Sequence, residues 1–411
     1  MKKRVFALCF GLWGVLMFPV FAGRIKPEAK KMYQLGLQNY NKGNYEEAIK
    51  NFSDALAKYP KYEAALLYRA YANEKLGNSF QALSDYEQLI KINPKHSQAY
   101  VSRGHLNSKI GLDDEAIKDY TAAIEHDNRN FEAHYERGMI YNILGLYNEA
   151  LKDFEKCSQL KPGAEIDFMT GIVESKLGNE ERAIHFFSAA IKFDKNNKNY
   201  YYHRADSKIK LGRYTDALED LIIANKLDEK DPYIYNKMGV ANHFLRNYEK
   251  ALFYFDKALE INPIVNEFNY NRARTHVALK NYEKAIADFS MVIELAPDNL
   301  DTYLYRASAY SALGKYEEAE NDYSKYIEMN PGNFSVFQKR ADVRISLKKY
   351  EQALEDLNKT IELKPENANA YHNRGIVEYN LNKKEEACRD FKKSGELGYK
   401  QDSLEIMNIC K

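Results

Sequence analysis

Cysteine, tryptophan, proline and net charge are all in short supply in this chain of 411 residues, which has four Cys, one Trp, ten Pro and a formal charge of +1. So few cysteines cannot knit a disulfide scaffold. A balance of 60 basic to 59 acidic side chains speaks against a nucleic-acid partner, which requires a basic excess over the phosphates it neutralises. Catalytic signatures are missing as well. The sequence holds no HExxH, no GxSxG and no GxxxxGK[ST], and its nine histidines show no zinc-ligand spacing to cysteine or carboxylate. No enzyme, no metal and no cofactor is expected. Aromatic surface is abundant instead, with 33 Tyr and 20 Phe, and that excludes intrinsic disorder.

The long uncharged run stands at the N-terminus. Lys2-Lys3-Arg4 precede an apolar stretch from Val5 to Ala22, with Pro19 near its end and Val20 and Ala22 at the positions a signal peptidase reads. Residues 1–22 are therefore read as a signal peptide cleaved after Ala22, and the mature chain as exported, periplasmic or secreted. Usage rich in Lys, Asn and Ile points to a low-GC bacterium. Left uncleaved, the same run is marginally long enough to act as an anchor, and membrane association is expected only in that case.

From Ala29 onward the sequence repeats with a period of 34. Alanine marks position 20 of every unit: Ala48, Ala82, Ala116, Ala150, Ala183, Ala217, Ala251, Ala285, Ala319, Ala353 and Ala387. The interval from Ala150 to Ala183 is one residue short. Four residues after each alanine stands a large apolar side chain, as in Phe52, Tyr86 and Phe255, and twelve residues before it always Gly or Ala. Small residues at two points let two helices approach closely while the large one fills the adjoining space. Seven prolines, including Pro60, Pro162 and Pro365, fall at position 32, where a helix must stop. Glycine holds position 15 in seven units, where a left-handed residue ends the first helix.

On these residues the chain resembles the tetratricopeptide repeat family, whose 34-residue helix–turn–helix has small residues at 8 and 20, an aromatic at 24 and Pro at 32. The resemblance covers eleven units over residues 29–401; the family's tryptophan at position 4 is absent, since Trp13 lies in the N-terminal run. It implies an all-α fold, a right-handed superhelical solenoid of about eleven repeats, with residues 402–411 as a C-terminal capping helix. Phe193-Asp194-Lys195-Asn196-Asn197 is read as the shortened turn, placing a possible joint near 193–199.

Comparing the units with one another shows a coupled charge. Arg at position 7 and Asp at position 23 occur together in eight units, among them Arg137/Asp153 and Arg272/Asp288, while the other three carry neither. An ion pair between the two helices of one repeat is inferred, structural rather than ligand-binding. Cys157 stands where other units have alanine and reads as a buried small hydrophobe. Cys388 faces the core where the terminal cap packs, and a Cys388–Cys410 disulfide would tie that cap down in an oxidising compartment.

The resemblance also directs binding to positions 2, 5, 6, 9 and 12 of the first helix, which face the concave groove in the family. Here these supply Tyr33, Tyr68, Tyr71, His105, Tyr135, Phe168, Tyr202, His203, Tyr233, His243, Tyr270, Asn271, Arg274 and Tyr305. The family's clamp for acidic peptide C-termini, a set of Lys, Asn and Arg over three consecutive repeats, is not assembled. A tyrosine-rich groove suits a protein or peptide ligand with apolar anchors. Packing between first helices is the competing account of the same tyrosines. The expected role is an exported scaffold for protein–protein or protein–peptide interaction. The alternatives are a non-catalytic subunit presenting substrates to an envelope enzyme, and a glycan- or peptidoglycan-binding envelope protein.

Overall fold

The computed structural model describes residues 25–399 and Cys410. The signal peptide assigned to residues 1–22 lies outside the described residues, as does all but Cys410 of the cap assigned to 402–411. Among the described residues there are 22 α-helices and no strand, and no helix is long and apolar enough to cross a membrane.

The helices come in pairs, one pair per 34-residue unit. In the second unit helix A is α3 (Glu63–Lys75) and helix B is α4 (Ser79–Ile92). Several A helices begin from an Asn or Asp at position 34 of the preceding unit. Asn130, Asp231, Asn299, Asn333 and Asn367 each accept a backbone N–H of the first turn. Between A and B the chain reverses through one left-handed residue. That residue is glycine in seven units, but Arg246, Lys280, Lys348 and Asn382 take the same conformation with φ of 59–62°.

The chain forms two compact units, one ending at Ile166 and the other beginning at Asp167, within α9 (Ala164–Lys176). In each, helix B packs on the next helix A, and successive A helices also touch. The core of every repeat is the same. The position-20 alanines and the large side chains at position 24 are buried, Phe52, Tyr86, Phe154 and Phe255 completely. A Cβ added at Gly239 would stand 2.5 Å from Phe255 Cε1, so the glycine lets the ring lie flat against helix A. Each ring removed from water contributes about 1.5–3 kcal/mol.

All eight Arg/Asp pairs are present, with N···O distances of 2.5–2.8 Å. The aspartates are buried. The arginines do more than join two helices of one repeat. In seven of the eight, Nη1 reaches position 25 of the preceding repeat: Arg69 donates to Ser53, Arg137 to Thr121, Arg204 to Ser188, Arg272 to Asp256, Arg306 to Ser290, Arg340 to Ser324 and Arg374 to Asn358. One guanidinium thus clasps three helices, which a planar fork with five donors suits and an ammonium does not.

The pair of Arg272 and Asp288 is present, and its cation also reaches an acid of the preceding repeat. Arg272 Nε and Nη2 donate to the Asp288 carboxylate at 2.9 and 2.7 Å, while Nη1 meets the Asp256 carboxylate of the preceding repeat at 2.7 Å. The hydrogen bond to Asp288 is the largest cause that raises the Arg272 guanidinium above its ordinary pKa; burial opposes it and Asp256 adds to it. Two acids share one cation.

The shortened turn assigned to 193–197 needs correction. The turn Asp194–Asn197 has the ordinary four residues between α10 (Glu180–Phe193) and α11 (Lys198–Lys210). The missing residue is instead at 161–163, where only Lys161-Pro162-Gly163 connect α8 (Tyr147–Leu160) to α9. At the C-terminal end Cys388, on α22 (Lys384–Glu396), is disulfide-bonded to Cys410, with Cα atoms 5.6 Å apart. Cys157 is a buried free thiol.

Candidate functional site

The A helices carry the residues singled out above, and the two units treat them differently. Up to Ile166 the aromatic side chains pack on one another. Tyr33, Tyr40, Tyr45, Tyr62, Tyr68 and Tyr71 form a continuous cluster with ring centroids 4.9–6.0 Å apart. The Tyr71 hydroxyl lies 3.3 Å from Ser102 Oγ, and burial pushes its pKa up to about 12. Tyr135 stacks on Phe131 at 6.0 Å and donates to Glu165 Oε1 at 2.7 Å. Tyr33, Tyr68, Tyr71 and Tyr135 thus all pack against neighbouring rings. His105 sits beside Glu132 and Glu136, at 3.7 and 4.0 Å. Burial holds the Glu136 carboxyl above the usual range, opposed by His105 and reinforced by Glu132 and Glu165.

Beyond Asp167, Phe168 is packed between Phe187, Tyr200 and His203, at 5.8, 5.0 and 5.3 Å. Tyr202 meets His203 edge-on at 5.2 Å. Burial pushes His203 down to about 4, with Asp206 offsetting part and Lys237 adding to it. Lys237 is itself engaged by Asp206 at 2.6 Å.

The face opens over the next repeats. Tyr233, Phe244 and Tyr305 are 47%, 45% and 37% exposed, on α13 (Pro232–Phe244) and α17 (Leu300–Ala312). Between these helices lies α15 (Asn266–Ala278), which contributes Tyr270, Asn271 and Arg274. Tyr270 meets Phe289 and Tyr305 at 6.0 Å, and burial, then the neighbouring Tyr305, pushes its hydroxyl up to about 12. Three side chains make an amide relay: Asn271 Nδ2 donates to Asn236 Oδ1 at 3.1 Å, and Asn236 Nδ2 donates to Glu267 Oε1 at 2.9 Å.

His243 Nδ1 lies 2.9 Å from Thr275 Oγ1, whose hydroxyl donates to the Asn271 carbonyl. That assigns the proton to Nδ1 and leaves Nε2 an acceptor. Burial and then Arg274 hold His243 below its ordinary pKa. The Arg274 guanidinium stands over the Tyr270 ring at 5.8 Å. An open cleft of about 270 Å³ is lined by Asn266, Glu267, Tyr270 and Asn299. No group of three or more His, Cys, Asp or Glu able to hold a metal occurs among the described residues.

Family models described as "Tetratricopeptide repeat" match residues 33–97, 97–130, 131–163, 232–264, 267–299 and 300–333, and one described as "TPR repeat" matches 341–382. Together they take in more than half of the chain. The chain belongs to the tetratricopeptide repeat (TPR) family. It is 43% identical over 86 residues to tetratricopeptide repeat protein 12 of Mus musculus, a match over 21% of this chain and 12% of that protein. It is 36% identical over 100 residues to the translocon at the outer membrane of chloroplasts 64 of Pisum sativum, over 24% of this chain and 17% of that protein. It therefore spans under a fifth of the length of these curated relatives. Among solved structures it is similar to YrrB, described as a TPR protein with an unusual peptide-binding site. That likeness has 24% identity and a TM-score of 0.41, covering 44% of this chain and 95% of that one.

Two parts of the TPR architecture escaped the sequence reading. The position-25 acceptor of the arginine clasp was missed because that position varies and also holds Glu87, Glu155, Ile222 and Lys392; its signal is that Ser, Thr, Asn or Asp stands there in the unit before seven of the eight position-7 arginines. The relay through Asn236 was missed because nothing in the spacing couples position 5 of one repeat to position 6 of the next.

Proposed function

We propose that this TPR chain is an exported scaffold that holds an extended peptide or protein segment on its A-helix face, at the repeats built on α13, α15 and α17. The observation that carries the reading is the exposed aromatic row of Tyr233, Phe244 and Tyr305 beside an open cleft. Amphipathic rings with accessible edges anchor a peptide at small entropic cost, and the neighbouring amides pair with its backbone. The tyrosines before Ile166 are assigned to packing.

The test is selection of random 12-residue peptides, displayed with linkers on both sides, on immobilised protein. The reading expects enriched peptides that lose binding at least tenfold in Tyr233→Ala/Tyr305→Ala with the helical signal intact. Absence of any enriched peptide overturns it. Export rests on Lys2 to Ala22 and on the Cys388–Cys410 pair, which an oxidising compartment would maintain. N-terminal sequencing of the protein recovered from its native host should begin at Gly23, and an intact Met1 refutes cleavage.

A further inference from the structure

The position-7 arginines are all held in one way, and the A face carries an arginine that is not. Every position-7 arginine is locked to a buried aspartate. Arg274, at position 9 of its repeat, has no hydrogen bond or ion pair among the described residues; its contact is with the face of Tyr270. It lines a small cleft with Val240, His243, Phe244, Phe255 and Asn271, between α13 and α15. A half-buried guanidinium presents five N–H donors, and here none of them is engaged.

The surroundings narrow what would meet it. Glu267, on the same helix, accepts from Asn236. Asp301 is exposed in the first turn of α17. These two acids disfavour a dianion such as a phosphate ester. The nearby Lys237 is committed to Asp206 at 2.6 Å and supplies no second free cation. A single delocalised charge matches a single carboxylate, which the planar fork engages through two parallel hydrogen bonds. Asn271 uses one N–H on Asn236, leaving its Oδ1 and second N–H for a peptide backbone.

We infer that Arg274 and Asn271 form a subsite for an aspartate or glutamate side chain of an extended peptide, with the adjoining apolar residue of that peptide against Tyr270 and Tyr305. The inference rests on the peptide-binding reading above and adds its charge selectivity.

The experiment repeats the doubly flanked 12-residue selection on the full chain carrying Arg274→Ala, Arg274→Glu or Arg274→Lys. Arg274 makes no ion pair, so the variants should melt within a few degrees of the parent. Peptides enriched by the parent should share an Asp or Glu next to an apolar residue. A winning peptide, synthesised with blocked ends, should bind Arg274→Ala at least tenfold more weakly. Lysine in place of its acid should bind Arg274→Glu better than the parent protein. Arg274→Lys should retain part of the affinity, the charge without the fork. Enriched peptides lacking an acid, or equal affinity for parent and Arg274→Glu, overturn the subsite while leaving peptide binding in place. Absence of any enriched peptide overturns both.

Discussion

Replacing Arg137 by alanine tests whether the arginine clasp holds the repeats together or merely decorates them. Arg137 Nε and Nη2 donate to the two carboxylate oxygens of Asp153 at 2.9 and 2.8 Å, and Nη1 donates to Thr121 of the preceding repeat at 2.9 Å. The Asp153 side chain is 3% exposed and the Arg137 side chain 16%. Removing one partner of a buried pair costs about 3–5 kcal/mol, because the other charge is left uncompensated. Two features lower that figure here. The arginine is partly hydrated, and His134 Nδ1 remains 2.8 Å from Asp153. A loss of about 2–3 kcal/mol is expected, and about 2–4 °C per kcal/mol makes it a drop of about 5–10 °C in melting temperature.

The pH dependence should change sign. Burial pushes the Asp153 carboxyl up, but hydrogen bonds from Arg137 and His134 outweigh it and hold the group below its ordinary range. A folded-state pKa below the unfolded one contributes stability that is present above the unfolded value and lost as pH falls through the folded one. In the variant, burial is opposed by His134 alone, and the carboxyl rises above its unfolded value. Stability then declines as pH rises through the carboxylate range. Asp119 already shows that direction: burial lifts it despite Arg103. Urea unfolding followed at 222 nm between pH 4 and 8 measures the effect, and hydrogen exchange of α7 (Phe131–Ile143) and α8 localises it. Adding Asp153→Asn removes the stranded charge and should recover part of the loss. Unchanged stability in Arg137→Ala, or a double variant weaker than the single one, refutes the clasp.

The same geometry gives further expectations. Lys280 sits at φ 61° in a position where seven other repeats have glycine, so Lys280→Gly should stabilise by about 0.5–1 kcal/mol in urea unfolding, whereas a loss would mean its side chain matters more than its backbone. Burial pushes the Cys157 thiol up to about 12, so it should resist maleimide at pH 8 in the native protein and react on unfolding; rapid native labelling contradicts this. Glu378 is buried beside Asp390, and burial, reinforced by Asp390 and opposed by Arg374, pushes it up to about 7. Its folded pKa exceeds the unfolded one, so stability of the last repeat is lost as pH rises toward 7. Glu378→Gln should flatten that slope in hydrogen exchange of α21 (Ala368–Asn380), and an unaltered slope assigns it elsewhere.

The repeat was legible because its packing is redundant: the small residue at 8, the alanine at 20 and the large apolar side chain at 24 are written eleven times. The Arg/Asp pairing was legible for the same reason. Its reach across repeats was not, since Asp256 beside the Arg272–Asp288 pair stands at a position that is Ser, Thr or Asn in some units and Glu87, Glu155, Ile222 or Lys392 in others. The position of the short turn was hidden too. A 33-residue interval between Ala150 and Ala183 says that one residue is missing somewhere between them, and only the helix ends at Leu160 and Ala164 say where. Nor could spacing separate Tyr33 from Tyr305. Both stand on the same helix face, yet one is enclosed by Tyr62, Phe52 and Tyr68 and the other keeps over a third of its surface.

That contrast has a physical reason. A side chain that recurs at one position in every repeat answers to the repeat interface, which recurs with it. Recognition of a ligand has no such period, so its chemistry gathers where neighbouring repeats differ. Arg274 is such a place: position 9 holds Tyr71, His105 and Asp206 in other repeats, and each of these has a partner. What distinguishes Arg274 is that it makes no ion pair among the described residues, a property of distances between helices that no spacing along the chain encodes.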